Sequence, residues 1–256
     1  MIHPTAIVDR GAEIAESAEI GPYCVVGAEV VIGEGARLRA HVTVEGPTRL
    51  GARVEVHPFA ALGGPPQDKR YAGEPTRLEI GDDTVVREHV TVHRGTLKGG
   101  GVTRIGARTL LMAGVHVAHD AQVGDDCTLA GATLLAGHVI LEEGVVTGGA
   151  AAFAQFVHVG AMAFVAAGAR VEHDVPPFHI AQGDRARVRA LNLVGLERRG
   201  VPPASRAALQ TAHRQLYRSG RPIDTAAAQV DASDPYVQRL LAFVRGHTMI
   251  PGPARG

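Results

Sequence analysis

A hydrophobic residue, aliphatic everywhere but at Phe153, recurs at every sixth position through the first two-thirds of this 256-residue chain, with Thr147 as the exception. This period matches neither the 3.6-residue repeat of a helix nor the two-residue alternation of a single strand. It is typical of a hexapeptide β-helix, in which each hexad forms one short strand and one turn. The repeat comprises Ile2, Val8, Ile14, Ile20, Val26, Ile32, Leu38, Val44, Leu50, Val56, Leu62, Ile80, Val86, Val92, Ile105, Leu111, Val117, Val123, Leu129, Leu135, Leu141, Thr147, Phe153, Val159, Val165 and Val171.

This period predicts an all-β solenoid, a left-handed parallel β-helix, over residues 1–177. In the left-handed form three hexads make one triangular coil, so residues 18 positions apart are expected to stack. The aliphatic side chains are expected to point inward, and the small residue two positions earlier to fill the corner. Where glycine follows the aliphatic residue, we expect it to supply the backbone freedom that the turn needs.

Two segments interrupt the hexads, residues 64–79 and 98–104, and both are predicted to be loops. Insertions in a solenoid project from its surface and often lie at the functional face. After residue 177 the pattern changes to a C-terminal α-helical domain over 178–256, with helix-type patterns at 184–199, 204–219, 224–230 and 235–245. Glycines and prolines lie at the ends of these segments, as they do at the ends of many helices.

Composition excludes several classes of protein. The formal net charge is zero, which argues against a nucleic-acid partner because such proteins usually carry a basic excess. No apolar stretch is long enough for an integral membrane segment, and the N-terminus does not resemble a signal peptide. Cys24 and Cys127 occupy the small corner positions and make no disulfide framework, so a cytoplasmic location is expected.

Histidines and a carboxylate are concentrated at His116, His119 and Asp120. Stacking by coils places His119 on one edge of the prism with residues from the following coils. An imidazole pKa near 6.5 suits removal of a proton from a hydroxyl. A solitary histidine on an edge is ordinary surface, and we interpret five others in that way: His3, His41, His57, His89 and His158. The group on this edge instead predicts an active site with His119 as general base, Asp120 orienting it, and as neighbours Gly137, His138 and Gln155.

Zinc is the main alternative chemistry for a histidine-rich β-helix. The γ-class carbonic anhydrases, which share this kind of scaffold, use two histidines five residues apart and a distant third. No two histidines in this chain are five residues apart, and His116 and His119 are separated by three positions. We therefore expect no metal at this site.

Eight short motifs occur in order along the chain: Ala72-Gly73-Glu74-Pro75-Thr76-Arg77, His93-Arg94-Gly95-Thr96, Ala118-His119-Asp120, Ala136-Gly137-His138, Asp174-Val175-Pro176-Pro177, Ile180-Ala181-Gln182-Gly183, Gly195-Leu196-Glu197-Arg198-Arg199-Gly200 and Tyr217-Arg218-Ser219-Gly220. Together they resemble the UDP-N-acetylglucosamine O-acyltransferase family along essentially the whole chain. The resemblance implies a homotrimer with active sites between subunits. It also implies transfer of a (3-hydroxy)acyl chain from acyl carrier protein to the 3-hydroxyl of UDP-N-acetylglucosamine, the first step of lipid A biosynthesis, without a cofactor.

The resemblance also implies roles for individual residues. His119 matches the general base, and Gly137 matches the residue whose backbone N–H faces the oxyanion. The matched substrate-binding positions are Asp68 and Arg70 for the sugar, His116 and His138 lining the site, Gln155 and Asn192 for the nucleotide or acyl chain, and Arg198 near the nucleotide and carrier arm. Ala167 matches the position that limits acyl length, and a small side chain there predicts a medium-to-long chain.

Two departures from the family pattern keep other functions open. Arg70 stands where a lysine is usual, and Ala154 stands where a histidine is usual. One alternative is a related hexapeptide acyltransferase that uses an amine acceptor or an acyl-CoA donor. A second is a trimer that binds sugar nucleotide or carrier protein without catalysis. The region after residue 177 carries twelve Arg against five acidic residues, which is compatible with an acidic partner such as acyl carrier protein.

Overall fold

A computed structural model describes residues 1–249; the predicted helical domain extends to residue 256, so its last seven residues lie outside the described part. The described chain contains short strands of two to five residues. In chain order they are β1 Ile7–Val8, β2 Glu13–Ile14, β3 Glu19–Ile20, β4 Val25–Val26, β5 Val30–Ile32, β6 Arg37–Leu38, β7 Thr43–Val44, β8 Thr48–Leu50, β9 Glu55–Val56, β10 Ala61–Gly64, β11 Arg77–Ile80, β12 Val85–Val86, β13 Thr91–His93, β14 Val102–Ile105, β15 Leu110–Leu111, β16 His116–Val117, β17 Gln122–Val123, β18 Thr128–Leu129, β19 Leu134–Leu135, β20 Ile140–Leu141, β21 Val146–Thr147, β22 Ala152–Phe153, β23 His158–Val159, β24 Phe164–Val165, β25 Arg170–Val171, β26 His179–Gln182 and β27 Arg187–Leu191.

Nearly every strand pairs in parallel with the third strand after it, which builds three sheets of nine, eight and ten strands. Ile7 lies opposite Val25, and His116 lies opposite Leu134, so one coil is 18 residues long. The three sheets are the faces of a triangular prism. The predicted left-handed β-helix of hexapeptide coils is confirmed.

The core is a column of inward aliphatic side chains. Val117, Leu129 and Leu135 are fully buried, and so is the small corner residue Ala18. Burying such an aliphatic side chain stabilises the fold by about 1.5–3 kcal/mol. Thr147, the exception to the repeat, is also buried and shares a 2.7 Å hydrogen bond with the Thr133 hydroxyl, which satisfies its polar atom inside the core.

The turns use glycine differently from the prediction. The left-handed backbone conformation falls three residues after the aliphatic position and is adopted by non-glycine residues such as Asp120 and His138, both with φ of 63°. Glycines directly after the aliphatic residue, Gly63 excepted, lack a positive φ. At Gly21, a Cβ would lie 2.8 Å from the carbonyl oxygen of Leu38 on the next coil. The prediction that these glycines supply backbone freedom to the turn is therefore wrong for most of them. They instead allow close contact between neighbouring coils.

Both insertions are present, but their limits differ from the prediction. The first loop covers residues 65–76, because β10 continues to Gly64 and residues 77–79 belong to β11. The second contains a 3-10 turn, Leu97–Gly99, and ends where β14 begins at Val102. The physical reason is that β11 and β14 pair with each other over four residues, which lengthens both strands at the expense of the loops.

Four helices follow the β-helix in the described chain: α1 Leu193–Arg198, α2 Pro203–Arg218, α3 Ile223–Ala227 and α4 Pro235–Gly246. The predicted helix at 184–199 is wrong over its first half, because β27 pairs antiparallel with β26 and extends a sheet of the β-helix. The proposed domain boundary at residue 177 stays a prediction. Among the described residues, no helix combines the length and the apolar character needed to span a membrane.

A charged cluster fastens α4 to the β-helix. Arg239 donates to Glu142 over 2.7 Å and also pairs with Glu143. His158 lies between Glu142 and His247, at 3.0 and 2.9 Å respectively. The interpretation of His158 as a surface residue is therefore wrong, because helix docking covers a position that would be exposed on an isolated coil.

Replacing Leu129 with alanine should leave a cavity in the prism and lower the free energy of unfolding by about 2–5 kcal/mol. Ile7→Ala is the matched control, because Ile7 is 67% exposed on the outer face of β1 whereas Leu129 is fully buried. The control should change stability by less than about 0.5 kcal/mol. Urea unfolding followed by circular dichroism measures both, and equal losses would contradict the assignment of inward and outward positions.

Candidate active site

The candidate site is built on one edge of the prism, where the turns of successive coils lie above one another. The amide of His138 donates to the carbonyl of His119 over 3.0 Å, and the amide of Phe156 donates to the carbonyl of Gly137 over 3.2 Å. These bonds hold His119 and Gly137 in adjacent layers. The predicted stacking of these two residues on a single edge is what the backbone geometry produces.

His119 and Asp120 form a buried pair. The Nδ1 atom of His119 lies 2.8 Å from Oδ2 of Asp120, whose side chain is inaccessible to solvent. An ionised carboxylate can only accept, so Nδ1 donates and Nε2 of the neutral ring retains its lone pair. This arrangement orients the imidazole as a proton acceptor through Nε2.

Gly137 lies directly beside this imidazole. A Cβ at Gly137 would lie 2.6 Å from Cε1 and 2.9 Å from Nε2 of His119, so only glycine fits there without displacing the ring. Its N–H makes no hydrogen bond within residues 1–249. A free backbone donor beside this imidazole is a suitable partner for a developing negative charge.

His138 encloses the other side of the pair. Its ring meets the ring of His119 edge to face at 5.2 Å and stacks on Phe156 at 4.5 Å. Its Nε2 lies 3.7 Å from Oδ2 of Asp120. Burial lowers the pKa of His138, and the carboxylate of Asp120 opposes that effect, so the ring is held mainly neutral.

His116 lies on the adjacent face, and its Nδ1 is 2.7 Å from the hydroxyl of Thr91. It meets His93 edge to face at 5.0 Å. Burial lowers the pKa of His93 to about 4, and Nδ1 of this ring is buried without a hydrogen-bond partner among the described residues. Sequence reasoning missed His93 as a site residue, since the coils were followed only upward from His119. Counting one coil downward across the second insertion would have found it.

The first inserted loop brings Asp68 and Arg70 to the same edge. Arg70 donates to Asp68 through Nε at 3.2 Å and Nη2 at 3.0 Å. These bonds lower the pKa of the Asp68 carboxyl to about 2, and charge on His119 acts in the same direction. The charge of Asp68 also acts on the pKa of His138, so this loop lies close to the edge of the prism that carries His119 and His138.

Arg94 anchors the base of that loop. Its Nη1 donates to the carbonyls of Gly46 and Gly63 at 2.9 Å, and its Nε donates to the hydroxyl of Tyr71 at 3.2 Å. The guanidinium also lies 5.7 Å from the centre of the Tyr71 ring. A cavity of about 60 Å³ remains between residues 68–74 of the first loop and residues 96–98 of the second. The two insertions therefore face each other beside His119.

His119, Asp120 and His138 could in principle share a cation, because one ligand atom from each lies within 4.8 Å of the others. Both oxygens of Asp120 already accept hydrogen bonds, from Thr96 and from His119. A cation would have to displace these donors. The expectation that the site takes no metal stays a prediction.

Four predicted site residues share no hydrogen bond, ion pair or ring contact with the His119 group within residues 1–249. Asn192 caps α1, donates to the carbonyl of Met162 at 2.9 Å and accepts from Gly195. The side chains of Gln155 and Arg198 are exposed and make no hydrogen bond within residues 1–249, although Gln155 is on the same edge as His119. Ala167 is exposed on another edge, above Gly149, whose carbonyl accepts from the residue after Ala167.

This fold, with a His–Asp pair beside a glycine on one edge, defines a hexapeptide-repeat transferase. The profile of the family described as bacterial transferase hexapeptide (six repeats) matches residues 11–46. The profile described as Udp N-acetylglucosamine O-acyltransferase, domain 2, matches residues 174–253.

Solved structures resemble the chain over nearly its whole length. LpxA from Acinetobacter baumannii is 35% identical, with 98% of this chain and 99% of that chain covered and a TM-score of 0.94. UDP-N-acetylglucosamine O-acyltransferase (LpxA) from Moraxella catarrhalis RH4 is 39% identical, with 97% and 99% covered and a TM-score of 0.93. The Arabidopsis UDP-N-acetylglucosamine acyltransferase is 31% identical, with 96% of each chain covered and a TM-score of 0.85. The chain belongs to the UDP-N-acetylglucosamine O-acyltransferase family.

Gly137→Ala should displace the imidazole of His119 and lower turnover on the order of 10²-fold, because a shift of about 1 Å in a reacting group has that effect. Gly149→Ala is the matched control at the same position of another hexad, where the nearest atom to a Cβ is the Gly131 carbonyl oxygen at 3.4 Å. Steady-state kinetics and thermal unfolding should be measured on both. Wild-type turnover in Gly137→Ala would contradict this geometry.

Proposed function

We propose that this protein transfers an acyl chain, 3-hydroxylated or not, from acyl carrier protein to the 3-hydroxyl of UDP-N-acetylglucosamine, the first step of lipid A biosynthesis. The observation that carries the proposal is the buried His119–Asp120 pair, whose imidazole lies directly beside Gly137. Full-length similarity to the acyltransferases named above supports the substrate class. No serine or cysteine nucleophile lies in this motif, so the transfer is direct.

His119 begins the reaction as a general base. Its Nε2 accepts the proton of the sugar 3-hydroxyl, and Asp120 stabilises the imidazolium that forms while holding the ring in place. The sugar oxygen then attacks the carbonyl carbon of the thioester. General-base assistance of this kind contributes roughly 10²–10⁴-fold to the rate.

Gly137 acts on the intermediate. The carbonyl oxygen of the thioester gains negative charge, and the free N–H of Gly137 donates to it; such a donor contributes about 10²–10³-fold. Collapse of the intermediate breaks the carbon–sulfur bond, and the proton held by His119 passes to the departing thiolate. The products are the sugar ester and the free thiol of the carrier, and this sequence requires no cofactor.

Substrate recognition is assigned to the residues around this pair. Asp68 and Arg70 face the edge from the first loop and suit the hydroxyls of the sugar. His116 and His138 line the cleft, and Gln155 is one coil above Gly137. Phe156 stacks on His138 and adds an apolar surface to the cleft. Ala154 stands where a histidine is usual in the family.

A homotrimer completes the proposed site. Asn192, Arg198 and Ala167 make no contact with His119 in their own protomer, so an adjacent subunit would bring such positions to the cleft. In this arrangement Arg198 contacts the nucleotide and carrier arm, and Ala167 allows a medium-to-long acyl chain. The Arg-rich region after residue 177 suits an acidic carrier protein. A cytoplasmic location is part of the same proposal.

His119→Ala should lower acyl transfer by roughly 10²–10⁴-fold, the contribution of a general base, while the oligomer remains folded. His3→Ala is the matched control, because His3 is exposed on the first coil and its imidazole bonds only to Thr5 within residues 1–249. Turnover is measured by product formation, and assembly by light scattering. Substantial residual turnover in His119→Ala would remove the assignment of the base.

The donor and acceptor are tested with a ladder of acyl carrier protein thioesters and acyl-CoA thioesters, each offered with UDP-N-acetylglucosamine. Mass spectrometry of the product should show an ester formed from the carrier thioesters. Product from acyl-CoA alone would favour a related hexapeptide acyltransferase. Binding of the sugar nucleotide by calorimetry without any product would favour a non-catalytic binding trimer.

A further inference from the structure

Immediately before the 3-10 turn of the second insertion lies a threonine that bonds directly to the Asp120 carboxylate. Thr96 is 9% exposed and caps the 3-10 turn Leu97–Gly99. Its backbone N–H donates to Oδ1 of Asp120 at 2.7 Å, and its hydroxyl donates to Oδ2 at 2.7 Å. Two of the hydrogen bonds to this carboxylate therefore come from one residue, 24 positions earlier in the chain.

The surrounding loop is shaped to the same carboxylate. A Cβ at Gly95 would lie 2.8 Å from Oδ1 of Asp120, and a Cβ at Gly99 would overlap the carboxyl group itself. On the other side, the amide of Asp120 donates to the hydroxyl of Thr103 at 2.8 Å. A buried carboxylate has no water to complete its hydrogen bonds, so these protein donors decide its orientation and its charge distribution.

The hydroxyl of Thr96 and Nδ1 of His119 share one oxygen. Both donate to Oδ2 of Asp120, at 2.7 and 2.8 Å. Each donor withdraws electron density from that oxygen and so weakens its attraction for the other. The strength with which Asp120 stabilises a protonated His119 therefore depends on the Thr96 hydroxyl.

We propose that Thr96 is a positioning residue for acyl transfer, which sets the orientation and basicity of His119 through the shared oxygen of Asp120. The inference rests on the proposed function and extends it to a residue of the second insertion. It also assigns a role to that insertion. Thr91 and its pairing partner His116 are 25 positions apart rather than 18, and the segment that contains these seven extra residues also contains the donor to the carboxylate. Thr96 itself need not touch substrate.

Thr96→Val tests the proposal, because it removes the hydroxyl and keeps the backbone N–H and the branched shape. Gly99 keeps a partner, since its amide also donates to the Thr96 carbonyl at 3.1 Å. Loss of this hydrogen bond lets the carboxylate, and the imidazole that it orients, shift from the productive geometry, and kcat should fall about tenfold although the ring becomes more basic. The KM values for both substrates should change less than about twofold, since an interaction outside the binding contacts is lost.

The pH profile is the decisive reading of the experiment. Without the hydroxyl, Oδ2 of Asp120 accepts more strongly from Nδ1 of His119, which stabilises the imidazolium. The acidic limb of the plot of kcat against pH should therefore move to higher pH. Titration of the His119 ring by NMR in the free protein should show the same upward movement. Thr96→Ser keeps the hydroxyl and should retain the wild-type kcat and profile.

Thr109→Val is the matched control. Thr109 is buried, and its hydroxyl bonds to the Gly124 carbonyl at 3.1 Å on another edge. This variant should lose a comparable amount of stability with kcat and the pH profile unchanged. If Thr96→Val does not fold, Thr96→Cys replaces it, because a thiol is a weaker donor and should move both quantities in the same direction by less.

The proposal is overturned if Thr96→Val keeps the wild-type kcat and acidic limb, if only KM changes, or if Thr96→Ser loses activity equally. A lower kcat with an unmoved acidic limb and an unmoved His119 titration also overturns it, since that is the result of a structural role alone. Absence of turnover in the wild type on every acyl donor is instead a failure of the proposed function. The NMR titration still tests Thr96 in that case.

Discussion

Backbone hydrogen bonding between coils is the interaction on which the rest of this structure depends. Most strands are only two residues long, and a strand of that length has no stability of its own. Stacking on both neighbours supplies the missing bonds, as in other solenoids where each repeat is stabilised by the next. The same bonds hold the edge that carries the candidate site, because the amide of His138 donates to the carbonyl of His119. A slip of one residue would expose Val117 and turn His119 away from the cleft.

Burial of the Asp120 carboxylate is the second constraint, and it fixes the orientation of His119. The carboxylate of Asp120 is removed from water, which is unfavourable unless donors replace the lost hydration. His119 and Thr96 provide those donors, and the orientation of the imidazole follows from them. The two insertions therefore have different tasks. The second surrounds the carboxylate, while the first brings Asp68 and Arg70 over the imidazoles.

Much of the fold was predictable because its pattern is local. The inward side chain recurs every six residues, so the coil length and the residues sharing an edge follow by counting, and Gly137 was placed beside His119 in this way. Loop limits were less predictable, because the pairing of β11 with β14 decides where each strand begins. The roles of the glycines were predicted wrongly. Close approach to the next coil, as between Gly21 and Leu38, and a positive φ both favour glycine, so the sequence does not distinguish them. Docking of α4 onto His158 left no periodic signal at all.

The sequence by itself determined the solenoid, the residues that share an edge with His119 and the presence of two insertions, because each is a property of periodicity or of its interruption. Only the tertiary structure decided what surrounds the carboxylate of Asp120. Thr96 reaches it from 24 positions upstream, beside the 3-10 turn of the second insertion. An insertion breaks the period by which distant positions can be related, so the partners it carries are set by packing and hydrogen bonding in three dimensions rather than by spacing along the chain.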